Sequence, residues 1–203
     1  MKITRPIRAV LFDMDGVMVD SEFVYMKYLL EFAKEKNPAV TMEDINQMVG
    51  RSRQDSWTVM ERAVNNGETW ETLIKEWAER DIYSRIDYRK IFRPEMKTTV
   101  QELKRRGYTV ALVSSTGPKL ISRIVEEVGM RPEFDLIVSG KQFKQSKPNP
   151  EIYHYTADTL GIREDECFVV EDSTVGIEAA YRAGMSIAGL KDCLLYTSDA
   201  ADE

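Results

Sequence analysis

Asp13-Met14-Asp15-Gly16 sets two carboxylates two positions apart, directly after the apolar run Ile7-Arg8-Ala9-Val10-Leu11-Phe12. In extended backbone, side chains two positions apart point the same way, and Gly16 permits a tight exit. Such a pair can divide the work of a group transfer: one carboxylate attacks as a nucleophile while the other gives and takes a proton. By itself the run also reads as an acidic turn or the start of a calcium loop, although Val17 and Val19 do not continue a calcium-ligand pattern.

Three later clusters carry complementary groups. Ser114-Ser115-Thr116 ends another apolar run, where hydroxyls and backbone N–H groups ahead of a helix can hold phosphate oxygens or simply cap that helix. Lys147 lies in Ser146-Lys147-Pro148-Asn149-Pro150, where two prolines stiffen the backbone around a cation able to offset crowded negative charge. Glu171-Asp172 follows the run Cys167-Phe168-Val169-Val170 and offers hard oxygen ligands of the kind Mg²⁺ takes, or else a helix N-cap.

The elements that must position these groups follow from periodicity. Residues 7–12 read as a buried strand, and residues 21–87 as several helices with breaks at Asn37-Pro38, Gly50 and Asn65-Asn66-Gly67. Beyond Phe92-Arg93-Pro94 the pattern alternates. Strands are expected at 109–114, 136–138, 167–170 and 186–190, with single helices between them. That alternation predicts a doubly wound α/β core with a parallel sheet and an inserted helical unit. In such sheets ligands gather beyond the carboxyl ends of the strands, where every group named above falls.

Composition narrows the function classes. At 203 residues and 43% hydrophobic content the chain can build one sizeable core, or a core with a small accessory domain. A net charge of −6 argues against a nucleic-acid partner and for small solutes. No apolar run approaches the roughly 18 residues needed to span a bilayer, and no secretion-type apolar core stands at the start. Cys167 and Cys193 have neither metal-ligand spacing nor a disulfide framework, which suits a reducing compartment; a cytoplasmic protein without membrane partners is expected, and a monomer.

Taken in order, strand-acid, strand-hydroxyl, loop-lysine and strand-acid resemble the haloacid dehalogenase superfamily, in its β-phosphoglucomutase-like branch with a helical cap after the first strand. The resemblance spans residues 7–190. It rests on Phe12-Asp13-Met14-Asp15-Gly16-Val17, Asp20-Ser21-Glu22, Gly50-Arg51-Ser52-Arg53, Ser146-Lys147-Pro148, and Val170-Glu171-Asp172-Ser173 through Ala183-Gly184-Met185. It implies a core of residues 1–16 and 92–192 and a cap of residues 17–91. Asp13 becomes the nucleophile, Asp15 the general acid and base, Ser114 a phosphate-binding hydroxyl and Lys147 the charge-balancing cation. Asp13, the Asp15 carbonyl, Glu171 and Asp172 would hold Mg²⁺. Ser115 and Thr116 would meet substrate from the core, and Gly50, Ser52 and Arg53 from a cap loop.

The resemblance thus implies a Mg²⁺-dependent phosphatase acting on a small phosphorylated metabolite through an aspartyl-phosphate on Asp13. A sugar phosphate mutase would share this machinery, but such mutases carry a histidine where this chain has Tyr25, which favours hydrolysis. A phospho-receiver module is a different class, and lacks a helical insertion after its first acidic strand. Residues 193–203 back-translate to a string similar to a transposon-based sequencing adaptor, so this tail is expected to be non-native. The resemblance implies a further strand and helix after residue 190, so an inactive, truncated fragment is a third reading.

Overall fold

The computed structural model describes residues 6–49 and 51–190. Among them, β1 (Ala9–Phe12), β2 (Thr109–Ser114), β3 (Leu136–Ser139), β4 (Cys167–Glu171) and β5 (Ser186–Gly189) form one parallel sheet in the order β3-β2-β1-β4-β5. Gly50 and the tail at 193–203 lie outside the described residues.

Parallel strands need crossovers, and here these are helices, as the alternating pattern predicted. The helices α7 (Glu95–Arg105), α8 (Pro118–Glu127), α9 (Glu151–Leu160) and α10 (Thr174–Arg182) supply them, while the β1–β2 crossover also carries six preceding helices. Strand side chains alternate between faces, so each helix layer receives every second residue. Ala9, Leu11, Ala111, Val113 and Val169 form one cluster with Ile152, Tyr153 and Ala157 of α9 and Ala179 and Ala180 of α10. Val110 and Leu112 are equally buried on the opposite phase of β2, against which α7 packs. Burial on both faces explains why the strands read as unbroken apolar runs.

Residues 21–87 form a second compact unit. It contains α1 (Ser21–Lys36), α2 (Met42–Asn46), α3 (Arg53–Val64), α4 (Trp70–Glu79) and α5 (Ile82–Arg85), and no described residue in it belongs to a strand. The remaining helix, α6 (Tyr88–Ile91), belongs with the sheet. Residues 17–20 do too: Val19 bridges to Phe92, and Asp20 N donates to the Ile91 carbonyl at 2.8 Å.

The breaks legible in the sequence have local causes. Thr41 caps α2 with a reciprocal bond to Asp44, Ser52 caps α3, and Asn65 ends α3 in the left-handed region at φ 47°. Phe32, Trp57 and Trp77 fill the unit's interior, with ring centroids 5.5 to 6.3 Å apart in edge and tilted arrangements. Arg80 lies 4.5 Å from the Phe32 centroid and binds Glu35 through two nitrogens, closing one side of this cluster.

Candidate active site

Sheet register decides which side chains meet. Phe12 stands beside Leu112 on one side and Val170 on the other, so the next residue, Asp13, falls level with Val113 and Glu171. Asp13 N donates to the Val170 carbonyl at 3.0 Å, extending the ladder by one bond past the strand. The chain moves from β1 through β2 to β3 on one side, then returns to place β4 on the other. The crevice beyond the ends of β1 and β4 is therefore the topological switch point, where doubly wound sheets bind ligands.

Lys147 enters this crevice from the loop after β3. Its Nζ donates to Asp13 Oδ1 and Glu171 Oε1, both at 2.6 Å, and to the Val113 carbonyl at 3.2 Å. One ammonium thus serves two buried carboxylates, leaving a net negative charge out of water. Burial pushes the Asp13 carboxyl up to about 7; Lys147 opposes that rise and the Glu171 charge adds to it. For Lys147 burial disfavours the charge, but Asp13, Tyr153 and Glu171 outweigh it and hold the ammonium above its ordinary range.

Glu171 is fully buried and both of its oxygens are engaged. Oε1 also accepts from the Tyr153 hydroxyl at 3.2 Å, while Oε2 accepts from Asp172 N, Ser173 N and Ser173 Oγ at 2.9 to 3.1 Å. Ser173 Oγ in turn accepts from Gly176 N and caps α10. Gly176 is required here, because a Cβ would collide with the Glu171 carboxylate. The same holds at Gly16, at φ 74°, where the Asp172 carboxylate occupies the volume a side chain would need. Asp13, Glu171 and Asp172 each bring one oxygen within 4.8 Å of the others. This donor set, three hard anionic oxygens beside a fixed cation, fits a divalent ion such as Mg²⁺.

Asp15 turns to a different partner, with Thr116 Oγ1 donating to its Oδ2 at 2.9 Å. Ser114 is buried at the tip of β2, and its Oγ accepts from Thr116 N at 3.0 Å. Ser115 is exposed. The structure thus gathers Asp13, Lys147, Glu171 and Asp172 in one crevice, and links Ser114 through Thr116 to Asp15.

Ser52 and Arg53 belong to the helical unit. The Ser52 hydroxyl is engaged with Asp55, donating to Oδ2 at 2.7 Å and accepting from its N at 3.2 Å. Arg53, exposed at the start of α3, lines a cavity of about 290 Å³ with Glu22, Tyr25, Met26 and Trp57. Tyr25 Oη accepts from Trp77 Nε1 at 3.1 Å. Tyr153 escaped sequence reasoning, since an aromatic residue at helical spacing in Ile152-Tyr153 reads only as core. It is core, yet burial keeps its hydroxyl protonated as a donor to Glu171, and its ring lies 5.3 Å from Lys147 Nζ. The signal available was the hydroxyl itself, which a purely apolar position does not need.

Residues 10–190 match the family model described as haloacid dehalogenase-like hydrolase. A phosphorylated carbohydrates phosphatase from Thermotoga maritima is 26% identical, over 88% of this chain and 82% of its own length. A phosphoglycolate phosphatase from Aquifex aeolicus is 27% identical, over 90% and 84%. Among solved structures, a candidate β-phosphoglucomutase from Thermotoga maritima superposes with a TM-score of 0.74 at 27% identity, covering 93% of this chain and 90% of that one.

Proposed function

The chain belongs to the haloacid dehalogenase-like hydrolase family, and from that premise we propose that it is a phosphoric monoester hydrolase forming an aspartyl-phosphate on Asp13. The carrying observation is the shared ammonium: Lys147 lies 2.6 Å from both Asp13 and Glu171 at the switch point of the sheet. A carboxylate meets a dianionic phosphate only where positive charge offsets their repulsion, and this is the place in the core built for it.

In this reading Asp13 attacks phosphorus while Asp15, protonated at that moment, gives its proton to the departing alcohol. Asp15 then takes a proton from the water that opens the acyl-phosphate. Ser114 and the backbone N–H groups after it bind phosphoryl oxygens, and Lys147 holds Asp13 in place. Asp13, Glu171 and Asp172 are the side chains for Mg²⁺, with the Asp15 carbonyl completing the set, and the ion supplies charge neutralisation at the phosphoryl group.

The phosphatases among the relatives support a small phosphorylated metabolite, a sugar phosphate or similar, as substrate. Arg53, exposed in the helical unit, has the planar fork suited to a distal anionic group. Hydrolysis is favoured over phosphoryl return to a sugar because Tyr25, with its hydroxyl taken by Trp77, replaces the histidine expected of a mutase. Among the described residues no helix is long and apolar enough to cross a membrane, and a buried, unpaired Cys167 suits a cytoplasmic location.

The test is phosphate release from a generic aryl phosphate with Mg²⁺. Asp13→Asn abolishes it if the proposal holds, and turnover at the wild-type rate removes the nucleophile assignment.

A further inference from the structure

The Thr116 hydroxyl, a candidate substrate contact in the sequence, donates to Asp15 Oδ2 at 2.9 Å. We propose that Thr116 is the positioning residue for Asp15 and that Ser139 positions Thr116. The inference rests on the reading of Asp15 as general acid and base given above.

The backbone of Thr116 is held on both sides. Its N donates to Ser114 Oγ at 3.0 Å, and its carbonyl accepts from Ser139 Oγ at 2.6 Å. Ser139 itself is buried and accepts from Lys141 N at 3.3 Å, so its hydroxyl is fixed at the tip of edge strand β3. The turn after it packs backbone to backbone on the loop. A Cβ on Gly140 would stand 3.2 Å from Ser115 Cα and 3.4 Å from the Ser114 carbonyl, tighter than ordinary contact. A continuous series of short contacts therefore runs from the sheet edge through Thr116 to the Asp15 carboxylate, three residues beyond the end of β1. Nothing in it needs a ligand.

The chemistry gives this arrangement a purpose. In the first step the Asp13 oxygen–phosphorus bond forms as the ester oxygen–phosphorus bond breaks, and the alcohol oxygen takes the proton from Asp15. In the second, water gives a proton to the Asp15 carboxylate and attacks phosphorus. The Asp13–phosphorus bond then breaks and releases inorganic phosphate. Both steps need the same carboxyl group aimed at the oxygen leaving or entering at phosphorus, first as donor to the alcohol and then as acceptor from water. A bond to Oδ2 restrains rotation of the side chain and directs proton exchange to Oδ1. A hydroxyl suits both states, since Oδ2 accepts its hydrogen bond whether Oδ1 is ionised or carries the proton.

Two esters separate positioning of the acid from general damage. 2,4-Dinitrophenyl phosphate leaves without protonation, whereas propyl phosphate cannot, and kcat/KM reports the step in which the ester breaks. Thr116→Val should lower kcat/KM for propyl phosphate about ten-fold more than for the dinitrophenyl ester, a fraction of what general acid catalysis contributes. Thr116→Ser, which keeps the hydroxyl, restores the wild-type ratio, and Ser139→Ala shifts the ratio the same way by a smaller factor. Asp15→Asn, run in parallel, shows the largest selective loss.

Equal losses on both esters in Thr116→Val, or no loss, overturn the positioning role while a selective Asp15→Asn leaves the reading of Asp15 standing. An unselective Asp15→Asn overturns both. Should Thr116→Val fail to melt cooperatively, the ratio in Ser139→Ala decides, and an unchanged ratio there refutes the proposal.

Discussion

Lys147→Met removes the ammonium but keeps most of the volume and apolar stem, so what changes is charge. In the wild type Nζ satisfies Asp13 Oδ1, Glu171 Oε1 and the Val113 carbonyl, and all three side chains are buried. The variant leaves two carboxyls at the switch point with no cation between them. Breaking a buried pair by removing one partner costs about 3–5 kcal/mol, far more than an exposed pair, because the remaining charge stays desolvated. The protein can soften that cost by protonating Asp13, which already sits at about 7 and rises further without Lys147. Destabilisation should therefore be larger at pH 8, where keeping the proton is costly, than at pH 6. Mg²⁺ replaces the missing positive charge and returns about 2.7 kcal/mol when present at a hundred times its dissociation constant. Urea unfolding of the two proteins in EDTA, at both pH values and then with Mg²⁺, measures each part. For a chain of this size the loss corresponds to roughly 10 °C in melting temperature. A variant within about 1 kcal/mol of wild type at pH 8 in EDTA, against the cost expected of a broken buried pair, would refute the reasoning.

The raised Asp13 carboxyl also sets the pH dependence of cation binding. The ion takes the ionised form, so Mg²⁺ affinity falls as pH drops below about 7 and levels off above it. Calorimetry in buffers of different ionisation heat should find close to one proton released per ion at pH 6 and roughly a tenth of that at pH 8. Equal release at both would contradict it. Gly176→Ala drives a methyl group into the Glu171 carboxylate and should destabilise the fold by about 1–3 kcal/mol, the range for overpacking, with weaker Mg²⁺ binding. Thermal melts with and without the ion check both effects, and a fully stable variant with unchanged affinity would show that α10 can yield.

How much of this could be read from the chain depends on which groups announce themselves. Asp13, Glu171 and Asp172 follow apolar runs and Lys147 stands in a proline-stiffened loop, and although each alone has a bland reading, their order along the chain points to one site. The doubly wound sheet followed from strands too apolar to show a wet face, such as Ala9-Val10-Leu11-Phe12. The connections between these groups were not legible. Thr116 reads as one hydroxyl among three, and only the folded loops beyond the ends of β1 and β2 show which oxygen it meets. Tyr153 signals only through its hydroxyl and Gly176 not at all, because the reason for each is the Glu171 carboxylate they meet in the folded chain. Long-range partners come from packing, which single-residue chemistry does not encode.

The central claim is a covalent bond between phosphorus and Asp13. Wild-type protein mixed with an aryl phosphate and Mg²⁺, acid-quenched within the first turnover, reduced with borohydride and digested, should yield a peptide with homoserine at position 13. Steady turnover with that peptide unmodified, or with phosphate on Ser114 instead, would contradict the account.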